Sequence, residues 1–154
     1  ERIYMSIPPV RLIRYDELIK LLKLYQHLHP DDPDVINHEH LKKLWNEIYN
    51  DPHLYYLVIE DNSGLVSSCT LSIIKNLTRN LRPYALIENV ITDPSYRGKG
   101  YGTAILHQAV EIAMKNNCYK VMLLTGSKKE QTLNFYERAG FIKGIKTGFI
   151  INIG

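Results

Sequence analysis

The chain has 154 residues, of which 45% are hydrophobic and 23% charged, and its formal net charge is +3. This composition predicts a single globular domain over residues 1–154. The basic residues are scattered, which argues against a nucleic-acid partner. The apolar runs are far shorter than the roughly 20 residues of a membrane span, which argues against a membrane partner. The only two cysteines, Cys69 and Cys118, lie in apolar stretches, which is typical of a reducing compartment and makes the cytoplasm the expected location.

The first half of the chain predicts a short strand, two helices and a hairpin. Val10–Arg14 is the strand, and Asp16 is a candidate N-cap for a helix that ends near His29. A second apolar stripe predicts a helix over His40–Tyr49. Two β-branched, apolar runs are separated by a turn sequence, so we expect antiparallel neighbours over Leu54–Glu60 and Leu65–Ile74.

The second half alternates strands and helices. The pattern predicts strands at Tyr84–Thr92 and Tyr119–Thr125, and helices at Thr103–Asn116 and Glu130–Ala139. The two strands should be parallel neighbours joined by a right-handed crossover. A last pair, Phe141–Lys143 and Thr147–Ile151, is expected to close the far edge. The predicted fold class is therefore α/β, with a mixed, mainly antiparallel central sheet and helices on both faces.

A glycine-rich segment stands between a predicted strand and a predicted helix. It runs from Arg97 to Thr103, with glycines at 98, 100 and 102 and cations at Arg97 and Lys99. Free backbone N–H groups of a first helical turn attract an anion, and glycines allow a close approach. The segment therefore predicts a diphosphate site, the alternative being an ordinary glycine-rich turn.

The spacing of the glycines narrows the choice of ligand. A nucleoside-triphosphate loop needs a Gly-Lys-Ser or Gly-Lys-Thr after four intervening residues, and none is present. A dinucleotide fingerprint needs Gly-x-Gly-x-x-Gly, but Thr103 and Ile105 occupy the third glycine position in the two possible registers. An Arg-x-x-Gly-x-Gly pattern remains, formed by Arg97, Gly100 and Gly102.

That pattern resembles the pyrophosphate-binding motif of the GNAT acyltransferases. Ile87–Pro94 looks like the family's fourth strand, and Asn134–Phe141 looks like its last helix and the strand after it, so the close resemblance covers about residues 84–141. It implies a splayed parallel strand pair and acetyl-CoA as co-substrate, without a metal. The cofactor-binding residues that it implies are Val90, Ile91, Arg97, Gly98, Lys99, Gly100, Tyr101, Gly102, Thr103 and Asn134.

Two side chains are candidate catalytic groups. Glu88 lies inside an otherwise apolar strand, where a carboxylate needs a partner or an open cleft. In a cleft it could take the proton of a substrate ammonium; a structural ion pair or a solvent-facing position is the alternative. Glu88 followed by Asn89 breaks the alternation and is compatible with a bulge. Tyr136 occupies the position where the resembling family commonly has a tyrosine that faces the CoA sulfur, which implies a general acid.

The resemblance implies an N-acetyltransferase in which the amine of a small molecule attacks the thioester directly. Glu88-Asn89-Val90 together with Cys118-Tyr119-Lys120 is similar to glucosamine-6-phosphate acetyltransferases, so an amino sugar phosphate is one candidate acceptor. A protein or peptide amine, a non-catalytic CoA-binding regulatory module and an unrelated nucleotide-diphosphate binder stay open.

Three further segments are candidates for a metal site, an anion-binding loop and a dimer interface. The histidines and aspartates between His27 and His40 lack a familiar ligand spacing, so no metal is expected. The loop from Lys75 to Arg82 could bind an acidic group, although a solvated basic loop is the simpler interpretation. The apolar segment Phe149–Ile153 could form an exposed edge, so a homodimer is open alongside a monomer.

Overall fold

The computed structural model describes residues 6–154 as a five-stranded sheet with helices on both faces. The strands lie in the order β1-β2-β3-β4-β5. They are β1 (Arg11–Leu12), β2 (Leu54–Asp61), β3 (Gly64–Ile74), β4 (Tyr84–Thr92) and β5 (Val121–Leu123). The helices are α1 (Leu18–Tyr25), α2 (His38–Tyr49), α3 (Tyr101–Lys115) and α4 (Glu130–Arg138). None of the helices in this part of the chain has the length and apolar character that crossing a bilayer requires.

Strand pairing follows the order of the chain. Strands β1 to β4 are consecutive antiparallel neighbours, and β5 pairs parallel to β4 after the α3 crossover. The predicted hairpin at Asp61–Gly64 is confirmed, because Asp61 and Gly64 close the β2–β3 ladder. The mixed, mainly antiparallel sheet is confirmed as well.

Two apolar cores lie on opposite faces of the sheet. On one face, α3 contributes Ile105 and Leu106, which are fully buried against strand residues such as Leu71. On the other face, Leu21 of α1 and Trp45 of α2 pack against Val58. Successive side chains along a strand point to opposite faces of the sheet, so each strand contributes alternately to the two cores.

Several predicted boundaries are wrong in informative ways. The helix after β1 does not begin at an Asp16 cap: Asp16 lies in a 3-10 turn, Tyr15–Glu17, which directly precedes α1. Helix α2 starts two residues before His40, because the Asn37 side chain accepts a hydrogen bond from the His40 N–H at 2.9 Å and caps it.

The two predicted C-terminal strands do not form. Residues 141–154 contain turns, a bend and segments without regular secondary structure, and no strand pairs with the outer edge of β5 within residues 6–154. A strand needs a hydrogen-bonding neighbour, and this segment pairs with none within residues 6–154. Its large side chains are accordingly exposed, with Phe149 at 91% and Ile153 at 97%.

A partly buried ionic cluster joins the first strand to the start of α1. Arg11 donates two hydrogen bonds to Glu17, at 2.7 and 2.9 Å, and one to Glu60 at 2.6 Å. Glu17 is only 3% exposed and also accepts the N–H of Arg14 at 2.8 Å. The hydrogen bond from Arg11 lowers the pKa of Glu17 to about 2, against the opposing effect of burial.

We expect Glu17→Gln to lower the free energy of unfolding by about 3 kcal/mol near pH 7, because Arg11 loses its charged, buried partner. The folded pKa of about 2 lies below the ordinary value of 4.5, so this stabilisation is complete above about pH 4.5 and is lost as the pH falls toward 2. Urea unfolding at several pH values checks this. Glu60→Gln, which removes the more exposed partner, is the control and should cost less. Equal unfolding of wild type and Glu17→Gln at pH 7 would contradict the prediction.

Candidate active site

Strands β4 and β5 pair over only three residues and then separate. The parallel ladder ends at Ile87 opposite Leu123. On the other side of β4, the register with β3 shifts between Ser68 and Thr70, and Asn89 has a left-handed φ of 53°. The bulge thus falls at Asn89, and an unpaired stretch of β4 faces a gap beside β5.

Glu88 lies at this gap. Its side chain is exposed and lines a cavity of about 220 Å³ together with Val90, Thr125 and Tyr136. Within residues 6–154 Glu88 takes part in no ion pair, so the structural ion pair considered from the sequence is not found. The carboxylate is therefore available to a ligand in the cavity.

The glycine-rich loop opens a larger cleft at the carboxyl end of β4. Asp93 accepts the N–H of Ser95 at 2.9 Å and caps a short 3-10 turn, Pro94–Tyr96, which leads into the loop. Gly98 and Gly100 have φ values of 73° and 93°, which L side chains rarely adopt. The cleft measures about 850 Å³, and its wall includes Arg97, Gly98 and residues 100–103 at the start of α3.

Gly102 has a packing role that the sequence did not reveal. A Cβ atom there would lie 2.8 Å from Cζ of Phe135. The missing side chain lets α4 approach the first turn of α3 closely. Because residues of both helices line the cleft, this close approach sets its width.

The two loop cations have different positions. Arg97 lines the cleft, and its Nε donates to the Thr92 carbonyl at 3.1 Å. Lys99 does not line it: its Nζ lies 3.4 Å from the Ser95 carbonyl and 5.7 Å from the centre of the Tyr96 ring. Lys99 therefore points away from the diphosphate position that the sequence predicted for it.

Tyr136 is the one candidate acid or base that lines both cavities in the described part of the chain. It is half-buried, and burial raises the pKa of its phenol above the ordinary value of 10.0. The phenol is therefore protonated at neutral pH and can act as a proton donor.

The structure does not bring Asn134 to the cleft. Asn134 is exposed and lines neither cavity, because it lies on the outer side of α4. The inner side of α4 supplies Gln131, Phe135 and Arg138 instead. Their spacing of four and three residues is the signal that could have identified this face from the sequence.

Several other groups lie away from the two cavities or are chemically unsuited to the site. Burial raises the pKa of the Cys69 thiol to about 12, which disfavours a thiolate nucleophile. Arg82 donates hydrogen bonds to the carbonyls of Asn117 and Cys118, and none of residues 75–82 lines either cavity. No cluster of metal ligands occurs in residues 6–154.

A model of the acetyltransferase (GNAT) family matches residues 21–141. Among solved structures, a protein of Agrobacterium tumefaciens str. C58 that has been assigned to the acetyltransferases is 42% identical, with a TM-score of 0.87. That similarity covers 97% of this chain and 100% of the other. The range matched by the family model contains the glycine loop, the strand gap and Tyr136.

Two curated relatives are similar over shorter stretches. Glucosamine 6-phosphate N-acetyltransferase of Trypanosoma brucei brucei is 43% identical over 77 residues, which are 50% of this chain and 50% of that protein. Streptothricin acetyltransferase A of Bacillus subtilis (strain 168) is 42% identical over 65 residues, which are 42% of this chain and 38% of that protein. The matches thus span half or less of these relatives, whose names give different acceptors.

Proposed function

The chain belongs to the acetyltransferase (GNAT) family, and we propose that it transfers an acetyl group from acetyl-CoA to the primary amine of a small molecule. One observation carries this proposal. The glycine loop, the start of α3 and the β4–β5 gap form one continuous wall of the larger cleft, and Glu88 and Tyr136 lie where the gap begins.

The residues of the cleft fit acetyl-CoA. The N–H groups at the start of α3, together with Arg97, can hold a diphosphate. The unpaired stretch of β4 at Val90 and Ile91 offers backbone groups to an extended, amide-containing arm. Thr132 and Gln131 of α4 lie on the opposite wall and can hydrogen-bond the same arm. When bound, acetyl-CoA supplies the thioester carbon that the amine attacks and the thiol that departs.

The chain supplies three functions for this transfer. Glu88 takes a proton from the acceptor ammonium, directly or through water, so that a neutral amine attacks. The backbone N–H of Val90 is the donor to the carbonyl oxygen as negative charge develops. Tyr136 gives its proton to the departing sulfur. The C–N bond forms as the C–S bond breaks, without a covalent enzyme intermediate.

An amino sugar phosphate is our first candidate acceptor. The similarity to the Trypanosoma brucei brucei protein supports it, whereas the similarity to the streptothricin enzyme supports a different amine. A CoA-binding regulatory module is the alternative from another class. The unpaired carboxylate of Glu88 and the protonated phenol of Tyr136 favour catalysis, because pure binding requires neither group in the gap.

The protein acts as a homodimer in this proposal. Residues 149–153 are an exposed, largely apolar segment, and the outer edge of β5 has no partner strand within residues 6–154. In a dimer with a two-fold axis, residues 149–153 of each copy would pair with the outer edge of β5 in the other copy. Burial of the exposed side chains stabilises the pair. They are Phe149, Ile150, Ile151 and Ile153.

Calorimetric titration tests the binding site. Arg97→Ala should weaken acetyl-CoA binding about 10- to 100-fold, the effect of losing a hydrogen bond to a charged group. Lys99→Ala removes the neighbouring cation that lies outside the cleft, so it should weaken binding less. Selective binding of ATP or NAD over acetyl-CoA, or equal effects of the two variants, would contradict this assignment of the loop.

Steady-state kinetics test the two catalytic groups. We expect Glu88→Gln to lower kcat about 100- to 10,000-fold and Tyr136→Phe to lower it to a smaller extent, because each removes one proton-transfer function. Acetyl-CoA affinity should stay within about threefold of wild type, since neither side chain is needed for the diphosphate. Thiol release is measured with glucosamine 6-phosphate and with streptothricin as acceptors. Acetyl-CoA binding without turnover of any amine would favour the regulatory module.

Sedimentation tests the dimer. The wild type should sediment as a dimer, and the double variant Phe149→Asp, Ile151→Asp should be monomeric, because two charges would enter the buried interface. Ile19→Asp is the matched control, since Ile19 is a similarly exposed apolar residue on α1. A monomeric wild type at micromolar concentration would exclude the exchange.

A further inference from the structure

Three side chains form one row across the sheet and lead inward from the gap. Thr70 of β3 lies directly opposite Tyr56 of β2 on one side and Glu88 of β4 on the other. Directly opposed residues of antiparallel strands point to the same face, with Cβ atoms about 4.5–5.5 Å apart. Tyr56 packs in the core beneath α1 and α2, so the whole row faces these helices.

Beneath α1, this face contains hydroxyl groups without partners. The hydroxyls of Tyr25, Ser68 and Thr70 are buried and make no hydrogen bond within residues 6–154. Thr70 is 7% exposed and Ser68 0%. A buried unpartnered hydroxyl destabilises a fold, and a methyl group of similar size would fit at lower cost. Folding alone therefore does not favour a hydroxyl at any of these positions.

Tyr25, the last residue of α1, brings its phenol to this row. Tyr25 packs against the same core as Tyr56, which lies opposite Thr70 in the sheet, and burial raises the pKa of the Tyr25 phenol to about 12. At neutral pH the phenol is a permanent hydrogen-bond donor. Thr70 thus lies next to the strand position that carries Glu88, and the phenol of Tyr25 lies on the same face of the sheet.

We propose that Tyr25 and Thr70 are positioning residues that donate hydrogen bonds to the Glu88 carboxylate during catalysis. The inference rests on the proposed role of Glu88 as base. In the described structure the Glu88 side chain lines the cavity, and Thr70 lies directly opposite it in the neighbouring strand. Rotation about the Glu88 side-chain bonds brings the carboxylate toward the Thr70 hydroxyl and toward the face on which Tyr25 packs. Held there, it presents its remaining lone pairs to the acceptor amine in one orientation.

The test compares variants that remove one hydroxyl with little change in shape. Thr70→Val and Tyr25→Phe should each lower kcat about tenfold or more with glucosamine 6-phosphate, with the KM for acetyl-CoA unchanged. Thr70→Ser, which keeps a hydroxyl, should restore most of the activity. Thermal unfolding should show Tm values equal to or above that of the wild type, because the removed hydroxyls have no partner in the described chain.

Ser68→Ala is the matched control. It removes another buried, unpartnered hydroxyl from the same strand and face, but Ser68 lies opposite Val58 and Ile91 rather than Glu88. Its kcat should equal that of the wild type. In a Glu88→Gln background, Thr70→Val should cause no further loss, since the carboxylate on which it acts is already gone.

The outcomes separate this inference from the proposed function. Full kcat in Thr70→Val and Tyr25→Phe, with activity lost in Glu88→Gln, overturns the inference alone. Equal losses in Thr70→Val and Ser68→Ala, or additive losses in the Glu88→Gln background, overturn it as well, because a general packing effect would explain them. Full activity of Glu88→Gln, or no acetyl transfer by the wild type, overturns both.

Discussion

The early end of the β4–β5 ladder is the constraint on which the site depends. Parallel neighbours normally continue side by side, but here pairing stops at Ile87 because the bulge at Asn89 turns β4 away. The stretch of β4 beyond that point keeps its antiparallel partner β3 on one side and faces open space on the other. A sheet that had stayed paired would have no gap for an extended ligand and no cavity beside Glu88.

The gap can serve a ligand because β4 leads directly into an anion site. The strand runs into the capped turn at Pro94–Tyr96 and then into the glycine loop, so the start of α3 lies at the same end as the opening. Backbone N–H groups for an anion and free strand edge for an amide arm are therefore presented on one wall by a single continuous segment. Helix α4 forms the opposite wall, held close by the absence of a side chain at Gly102.

The sequence predicted the features that depend on local pattern and missed those that depend on distant contacts. Apolar periodicity identified the helices, and the turn residues at Asp61–Gly64 identified the hairpin. The Lys99 side chain is oriented by its contacts with the Ser95 carbonyl and the Tyr96 ring. The outward position of Asn134 depends on the rotation of α4 about its axis as it packs against α3. Thr147–Ile151 has a strand-like composition, but within residues 6–154 it pairs with no neighbouring strand. Composition cannot supply that neighbour.

The two ends of α1 differ in how well their buried polar groups are hydrogen-bonded. At its start, every oxygen of the buried Glu17 carboxylate has a donor, and the helix is anchored to β1 and β2 through Arg11. At its end, the buried hydroxyl of Tyr25 has no partner in the described chain, and His27 lies 3.7 Å from Asp93 at the entrance to the glycine loop. A helix that is held firmly at one end can carry unsatisfied donors at the other without unfolding. Unpaired buried donors destabilise the folded state. The carboxylate of Glu88 on the neighbouring strand is the acceptor that we propose for them during catalysis.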